Sequence, residues 1–195
     1  DFNSLSSNNT IKKIEKACIE VGFFQIIGHG IEIKKINNIC KIGNKFFNSS
    51  EKNKKKLAPK KWNSKNKNLY RGYFPNSVNG KEGLDLGDLK ITSKNFKKYK
   101  SPYIEYLNLN KSFSKISIKS LSKYFDEIFS LSEILFKSII KLYKKDENIS
   151  NHAFSRIKTL STLRFNYYPA QTKPVEISKQ DGIALGCETH VDSGV

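Results

Sequence analysis

The chain has 195 residues, 37% of them hydrophobic and 12% aromatic, enough to bury the core of one domain and too apolar for wholesale disorder. Its formal net charge of +17 is almost all lysine, since arginine occurs only at Arg71, Arg156 and Arg164 and the lysines are interleaved with Asn and Ile, as in Lys34-Lys35-Ile36-Asn37-Asn38-Ile39. Phosphates and bases are usually read by the two-pronged arginine fork, so this balance argues against a nucleic-acid surface, and no apolar run approaches a membrane span or a signal peptide.

Thr10 is a plausible N-cap for a first helix over residues 10–21, where Ile11, Ile14, Ala17, Cys18 and Val21 recur at helical spacing and Cys18 is expected in the core. Gly22 ends it. Phe23-Phe24-Gln25-Ile26-Ile27 reads as a short buried strand, and Gly28-His29-Gly30 as a turn, because glycine tolerates positive φ. A second helix follows, with Ile33, Ile36, Ile39, Cys40, Ile42, Gly43 and Phe46-Phe47 on one side. Ser50-Glu51 opens a short lysine-rich helix that ends near Pro59, and its lysines read as a solvated face.

Residues 60–111 are polar and loop-rich, with short strands expected at Tyr70–Phe74 and Leu84–Ile91. The clearest helix runs over residues 112–144, where Leu121, Phe125, Ile128, Phe129, Leu135, Phe136, Ile139 and Leu142 repeat at three and four. Residues 146–155 read as a polar connection, Leu160–Tyr168 as a strand closed by Pro169, and Glu188–Asp192 as the start of another. Helices come first and strands last, which predicts an α+β arrangement ending in a sheet or barrel.

The chemistry concentrates at the end of the chain. His190 and Asp192 are two apart, so on a strand both side chains point to one side and an imidazole and a carboxylate can converge on one ion. Two such ligands plus a second His make the facial triad of non-haem iron, which leaves positions open for substrate and O₂. A chain with three histidines would show H-x-D by chance at about 0.1 occurrences, so the pair alone is a modest signal. Cys187, three before His190, forms a weak C-x-x-H with no second pair to make a zinc site. The three cysteines form no CxxC, which suggests reduced thiols in an intracellular, cytoplasmic protein.

Six landmarks in order set that pair in context: Asp1-Phe2; Gly22 to Ile31; Phe46-Phe47-Asn48-Ser49-Ser50-Glu51-Lys52; Arg71-Gly72-Tyr73; Leu163-Arg164-Phe165-Asn166-Tyr167-Tyr168-Pro169; and His190-Val191-Asp192. Over nearly its whole length the chain thereby resembles the 2-oxoglutarate- and Fe(II)-dependent dioxygenases, in the branch that includes isopenicillin N synthase, the gibberellin oxidases and flavonoid-type oxygenases. The landmarks match that family's Pro-apolar-Asp strand end, its GFFxxxxHGI, FFxLPxEEK and RGY segments, its LRxNYYP strand and its iron motif.

The resemblance implies roles. His190 and Asp192 would bind Fe(II). Tyr168 would offer its hydroxyl to the far carboxylate of 2-oxoglutarate, and Asn166 would help hold that cosubstrate. Read without the family, Tyr168 would be a strand aromatic in the core. Arg71 is open between the substrate mouth and a surface ion pair. His29 belongs to the framework, as a turn residue bonded to backbone, and His152 lies in a polar connection; neither is expected on iron. Asp85 and Asp88 are read as structural.

The implied fold is an N-terminal non-haem dioxygenase region over residues 1–110, then a long helix and the first part of an Fe(II)/2-oxoglutarate jelly roll over 111–195, one structural unit incomplete at its C-terminus. The family places its second iron His and an Arg-x-Ser beyond H-x-D. Together with Asp1 at the start and the lack of Met, this leads us to expect a piece of a longer protein, inactive by itself and monomeric. The implied reaction is oxidation of a small organic molecule, by hydroxylation or desaturation, with O₂. Two rivals stand: an isopenicillin N synthase-like oxidase that uses no 2-oxoglutarate, and a non-catalytic, lysine-rich binding module that keeps the fold.

Overall fold

The computed structural model describes residues 1–75, 80–99, 104–142, 147–156, 161–170, 177 and 182. Two compact units share the chain, one built from residues 1–37 and 123–159, the other from 38–122 and 160–195. Two long helices, α2 (Ile33–Phe47) and α4 (Lys115–Leu142), each contribute to both. No described helix is long and apolar enough to cross a membrane.

In the first unit, α1 (Asn8–Glu20) carries Ile11, Ile14 and Ala17 half-buried on one side. Its N-cap is Ser7, not Thr10. Ser7 makes no side-chain cap bond, and the Thr10 hydroxyl instead meets that of Ser4 at 2.9 Å. Cys18 is exposed, against expectation: it shares the helix side of Ile11 and Ile14, but every residue from 18 to 23, at the end of α1, is exposed. Gly22 ends the helix at φ +89°, and its N–H reaches back to the Ala17 carbonyl.

The expected strand over 23–27 is absent. A strand needs a laddered partner, and among the described residues the segment receives one backbone bond, from Phe2 N–H to the Ile27 carbonyl at 2.8 Å. Residues 146–155, expected as a connection, contain the helix α5 (Glu147–Ala153). An aromatic cluster of Phe125, Phe129, Phe136 and Phe154 fills this unit. The Arg156 guanidinium lies over Phe125 and Phe129 and bonds Asp126 at 2.6 Å.

In the second unit, Ile39, Gly43, Phe46 and Phe47 form the buried side of α2, at the spacing of one helix face. Helix α3 (Glu51–Lys55) begins at Ser50, whose hydroxyl accepts the Asn53 N–H. Three antiparallel strands follow: β1 (Gly72–Phe74), β2 (Glu82–Leu86) and β3 (Leu163–Tyr167), in the order β1-β2-β3. Strand β2 stops sooner than its apolar alternation suggests. Asp88 folds back on the chain, its side chain accepting the Lys90 N–H and its carbonyl the Ile91 N–H, which is a turn.

Alternation sorts the sheet into two faces. Tyr73, Leu84, Leu86, Phe165 and Tyr167 share one, and it packs on α2. The Phe47 and Tyr167 rings stack 4.9 Å apart, and Phe46 meets Tyr73 edge-on. Gly43 admits this close approach, because a Cβ there would sit 2.7 Å from the Phe165 ring.

Candidate functional site

The other face of the sheet carries the residues of chemical interest. The register sets Gly72, Asp85 and Arg164 in one rung, and Phe74, Gly83 and Asn166 in the next. Along β3 burial alternates: Leu163, Phe165 and Tyr167 are half-buried, while Arg164, Asn166 and, just past the strand, Tyr168 are exposed. Asn166 and Tyr168 therefore stand two residues apart on one open face. Tyr168 is 50% exposed, so it is not the packed strand aromatic that its neighbours would suggest. The Lys81 ammonium lies 6.0 Å from the centre of its ring. Gly83, opposite Asn166, presents no side chain.

Asp85 is 3% exposed, an unusual burial for a carboxylate. Arg164 compensates it. Its Nε donates to Oδ1 at 2.7 Å and its Nη2 to Oδ2 at 2.6 Å, the two-pronged geometry of strong arginine–carboxylate pairs. Arg71, 7% exposed, adds a second buried guanidinium. Burial pulls its pKa down from the usual arginine value, and the Asp85 and Glu105 carboxylates act against that. Glu105 also accepts three consecutive backbone N–H groups, of Leu69, Tyr70 and Arg71, at 2.6–3.0 Å, and so shapes the approach to β1.

Behind the sheet, Glu82 accepts both the Lys54 ammonium at 2.6 Å and the Tyr73 hydroxyl at 2.7 Å. Burial and the hydrogen bond to Glu82 both push the Tyr73 phenol well above its usual range. For Lys54 burial acts downward, but the bonds to Glu82 and Glu51 prevail and its pKa is raised.

His29 sits between Gly28 at φ +69° and Gly30 at φ +73°, and its Nδ1 accepts the Ile31 N–H at 3.1 Å. That is the turn role expected of it. His190 and Asp192, with Cys187, lie outside the described residues. Among the described residues no group of three His, Cys, Asp or Glu side chains is disposed to hold a metal. A cavity of about 440 Å³ bordered by Lys56, Asn66, Phe96 and Tyr106 does not include Asn166 or Tyr168. Reading the sequence missed the Asp85–Arg164 pair. Its one trace is an acidic residue placed between Leu84 and Leu86, where a half-buried strand usually turns a polar residue to solvent.

Residues 1–113 match the family described as non-haem dioxygenase in morphine synthesis, N-terminal. Isopenicillin N synthase of Streptomyces griseus is 25% identical over 207 residues, covering 93% of this chain and 56% of that protein. A flavonol synthase/flavanone 3-hydroxylase of Solanum tuberosum is 29% identical over 187 residues, covering 93% and 48%. The crystal structure of JOX2 in complex with 2OG, Fe and JA matches with a TM-score of 0.60 at 19% identity, over 92% of this chain and 48% of that one, a likeness of fold. The chain spans about half the length of the curated relatives it matches.

Proposed function

Because the chain belongs to the non-haem dioxygenase family that its residues 1–113 match, we propose that it forms the N-terminal and central part of an Fe(II)- and 2-oxoglutarate-dependent oxygenase acting on a small organic molecule. The observation that carries this reading is the shared open face of Asn166 and Tyr168. A side-chain amide and a phenol on one face, unburied and two residues apart, suit the carboxylate oxygens of an extended dicarboxylate. The two side chains therefore fit the cosubstrate that the family implies.

In this reading His190 and Asp192 would hold the iron, and Asn166 and Tyr168 would bind 2-oxoglutarate. Iron, 2-oxoglutarate and O₂ together supply the oxidation of a substrate C–H bond. The chain's share is to bind and orient. Tyr168 donates its hydroxyl proton to a carboxylate oxygen, Asn166 donates from its amide, and the α2 side of the sheet keeps the strand rigid. In this reading the open face of β1-β2-β3 belongs to one side of the jelly roll.

Carboxyl-labelled 2-oxoglutarate supplied to the full-length gene product with Fe(II) and O₂ tests the proposal. Release of labelled CO₂ that depends on His190, and disappears in His190→Ala, is the expected result. The 25% identity to an isopenicillin N synthase favours a second reading, an oxidase without the cosubstrate. O₂ uptake with no labelled CO₂ would select it. No turnover, with only salt-dependent binding to nucleic acid, would sink both.

A further inference from the structure

We propose that Asp85 is a positioning residue for the cosubstrate. By clamping Arg164 across the β2–β3 ladder, it keeps Asn166 and Tyr168 on the open face of the sheet. The inference rests on the reading that these two residues bind 2-oxoglutarate.

Asp85 and Arg164 are direct partners in the antiparallel register. Their two hydrogen bonds, at 2.7 and 2.6 Å, fix the guanidinium plane as well as its position. The Asp85 side chain is 4% exposed and that of Arg164 60%, so the carboxylate is the buried anchor and the arginine the arm laid over it. A slip of β3 by one residue would oppose Asp85 with Leu163 or Phe165 and take the two-pronged partner from a buried carboxylate. The same slip would turn Asn166 and Tyr168 to the α2 face. Setting a register is the best-attested use of a buried ion pair, and the pair's position two residues before Asn166 puts that constraint beside the candidate site.

The charges assign this role rather than anion capture. Among the described residues, Arg71 and Arg164 face Asp85 and Glu105, two cations against two carboxylates, which suits mutual pairing. On the other side of β3, the Phe47–Tyr167 stack and the Gly43–Phe165 contact favour the same register, so the ion pair adds its constraint on the open face to theirs on the α2 face.

The test is the affinity of the full-length gene product for 2-oxoglutarate, by calorimetry without O₂ and with Mn(II) in place of iron, beside hydrogen exchange of the β3 amides. Asp85→Asn and Arg164→Gln are expected to weaken 2-oxoglutarate about tenfold and to speed β3 exchange. Arg164→Lys, which keeps the charge but not the fork, should fall between them and the parent. Should Asp85→Asn fail to fold, the two Arg164 variants decide, since that side chain is largely exposed. Affinity within twofold of the parent in Arg164→Gln overturns the proposal. So does an equal loss in Phe47→Leu at equal loss of stability, because that variant loosens β3 only from the α2 side. Asn166→Ala and Tyr168→Phe separate the two levels of the argument. If they weaken binding and Arg164→Gln does not, the positioning role alone fails. If they do not, the cosubstrate assignment fails and the positioning role with it.

Discussion

Gly72 lies directly against the carbonyl of Leu57, so closely that a Cβ at position 72 would overlap the oxygen. The same carbonyl accepts the Tyr73 N–H at 3.1 Å, so it cannot swing away without losing a bond. Gly72 is also at φ +121°, where L side chains are strained. The glycine of the Arg71-Gly72-Tyr73 landmark is thus required by the junction of α3 with β1. Gly72→Ala should destabilise the protein by about 3 kcal/mol, combining backbone strain with a clash against backbone. Denaturant unfolding measures it, and a change below about 0.5 kcal/mol would contradict the steric argument.

Gly43 poses a subtler case. Alanine there gains about 1 kcal/mol of helix propensity, yet its Cβ would lie 2.7 Å from the Phe165 ring, and overpacking costs about 1–3 kcal/mol. A net loss is expected from Gly43→Ala. Adding Phe165→Leu should recover part of it, because it frees the space that the methyl needs. Additive losses in the double variant would show that the two residues do not compete for that space.

Alkaline pH should destabilise the second unit through the Lys54–Glu82–Tyr73 cluster. Lys54 and Tyr73 both hold their protons more tightly when folded. Above pH 10 the unfolded chain loses these protons first, so ΔG of unfolding falls as pH rises. The contribution is fully present below pH 10, the lower of the two unfolded values. Glu82→Gln should lower stability at neutral pH and flatten the decline above pH 10. Burial still raises Tyr73 in that variant, so a slope unchanged in both Glu82→Gln and Tyr73→Phe would assign the decline to other groups.

Glu105 ties down the three N–H groups that lead into β1. Glu105→Gln keeps the shape but puts an NH₂ where a carboxylate oxygen accepted, and leaving a donor unmet costs about 1–3 kcal/mol. Amide exchange at residues 69–71 should rise above that of β2. Protection equal to the parent's would show that the carboxylate is dispensable.

His29 should prove dispensable for metal. Its Nδ1 is engaged by the Ile31 N–H, so His29→Ala removes a turn bond worth about 1 kcal/mol. Iron content of the full-length gene product, measured by elemental analysis, should stay at the parent's ratio. A drop to zero without loss of fold would make His29 a ligand.

Local pattern was enough to find α2 and α4, whose apolar residues recur at three and four, and β3, whose end is marked by Pro169. It also marked the turn at His29, since the flanking glycines carry their geometry with them, whereas Gly72 entered only within a family landmark. It failed at residues 23–27, because an apolar run can be a strand only where a neighbour completes the ladder. It failed at Cys18 too, which is in phase with Ile11 and Ile14 but lies at the exposed end of the helix, where periodicity says nothing about what covers a face.

Which residues this chain has, and in what order, determined by itself the helices α1, α2 and α4 and the landmarks of the family, and through those landmarks the proposal of Asn166 and Tyr168 for the cosubstrate. Only the tertiary structure decided that these two share an open face, and that Asp85, 79 residues before Arg164, is buried beneath it. Alternation along a strand says which residues share a face, but not which face is covered. Pairing between β2 and β3 depends on register, and a register joins residues whose separation along the chain carries no information about it.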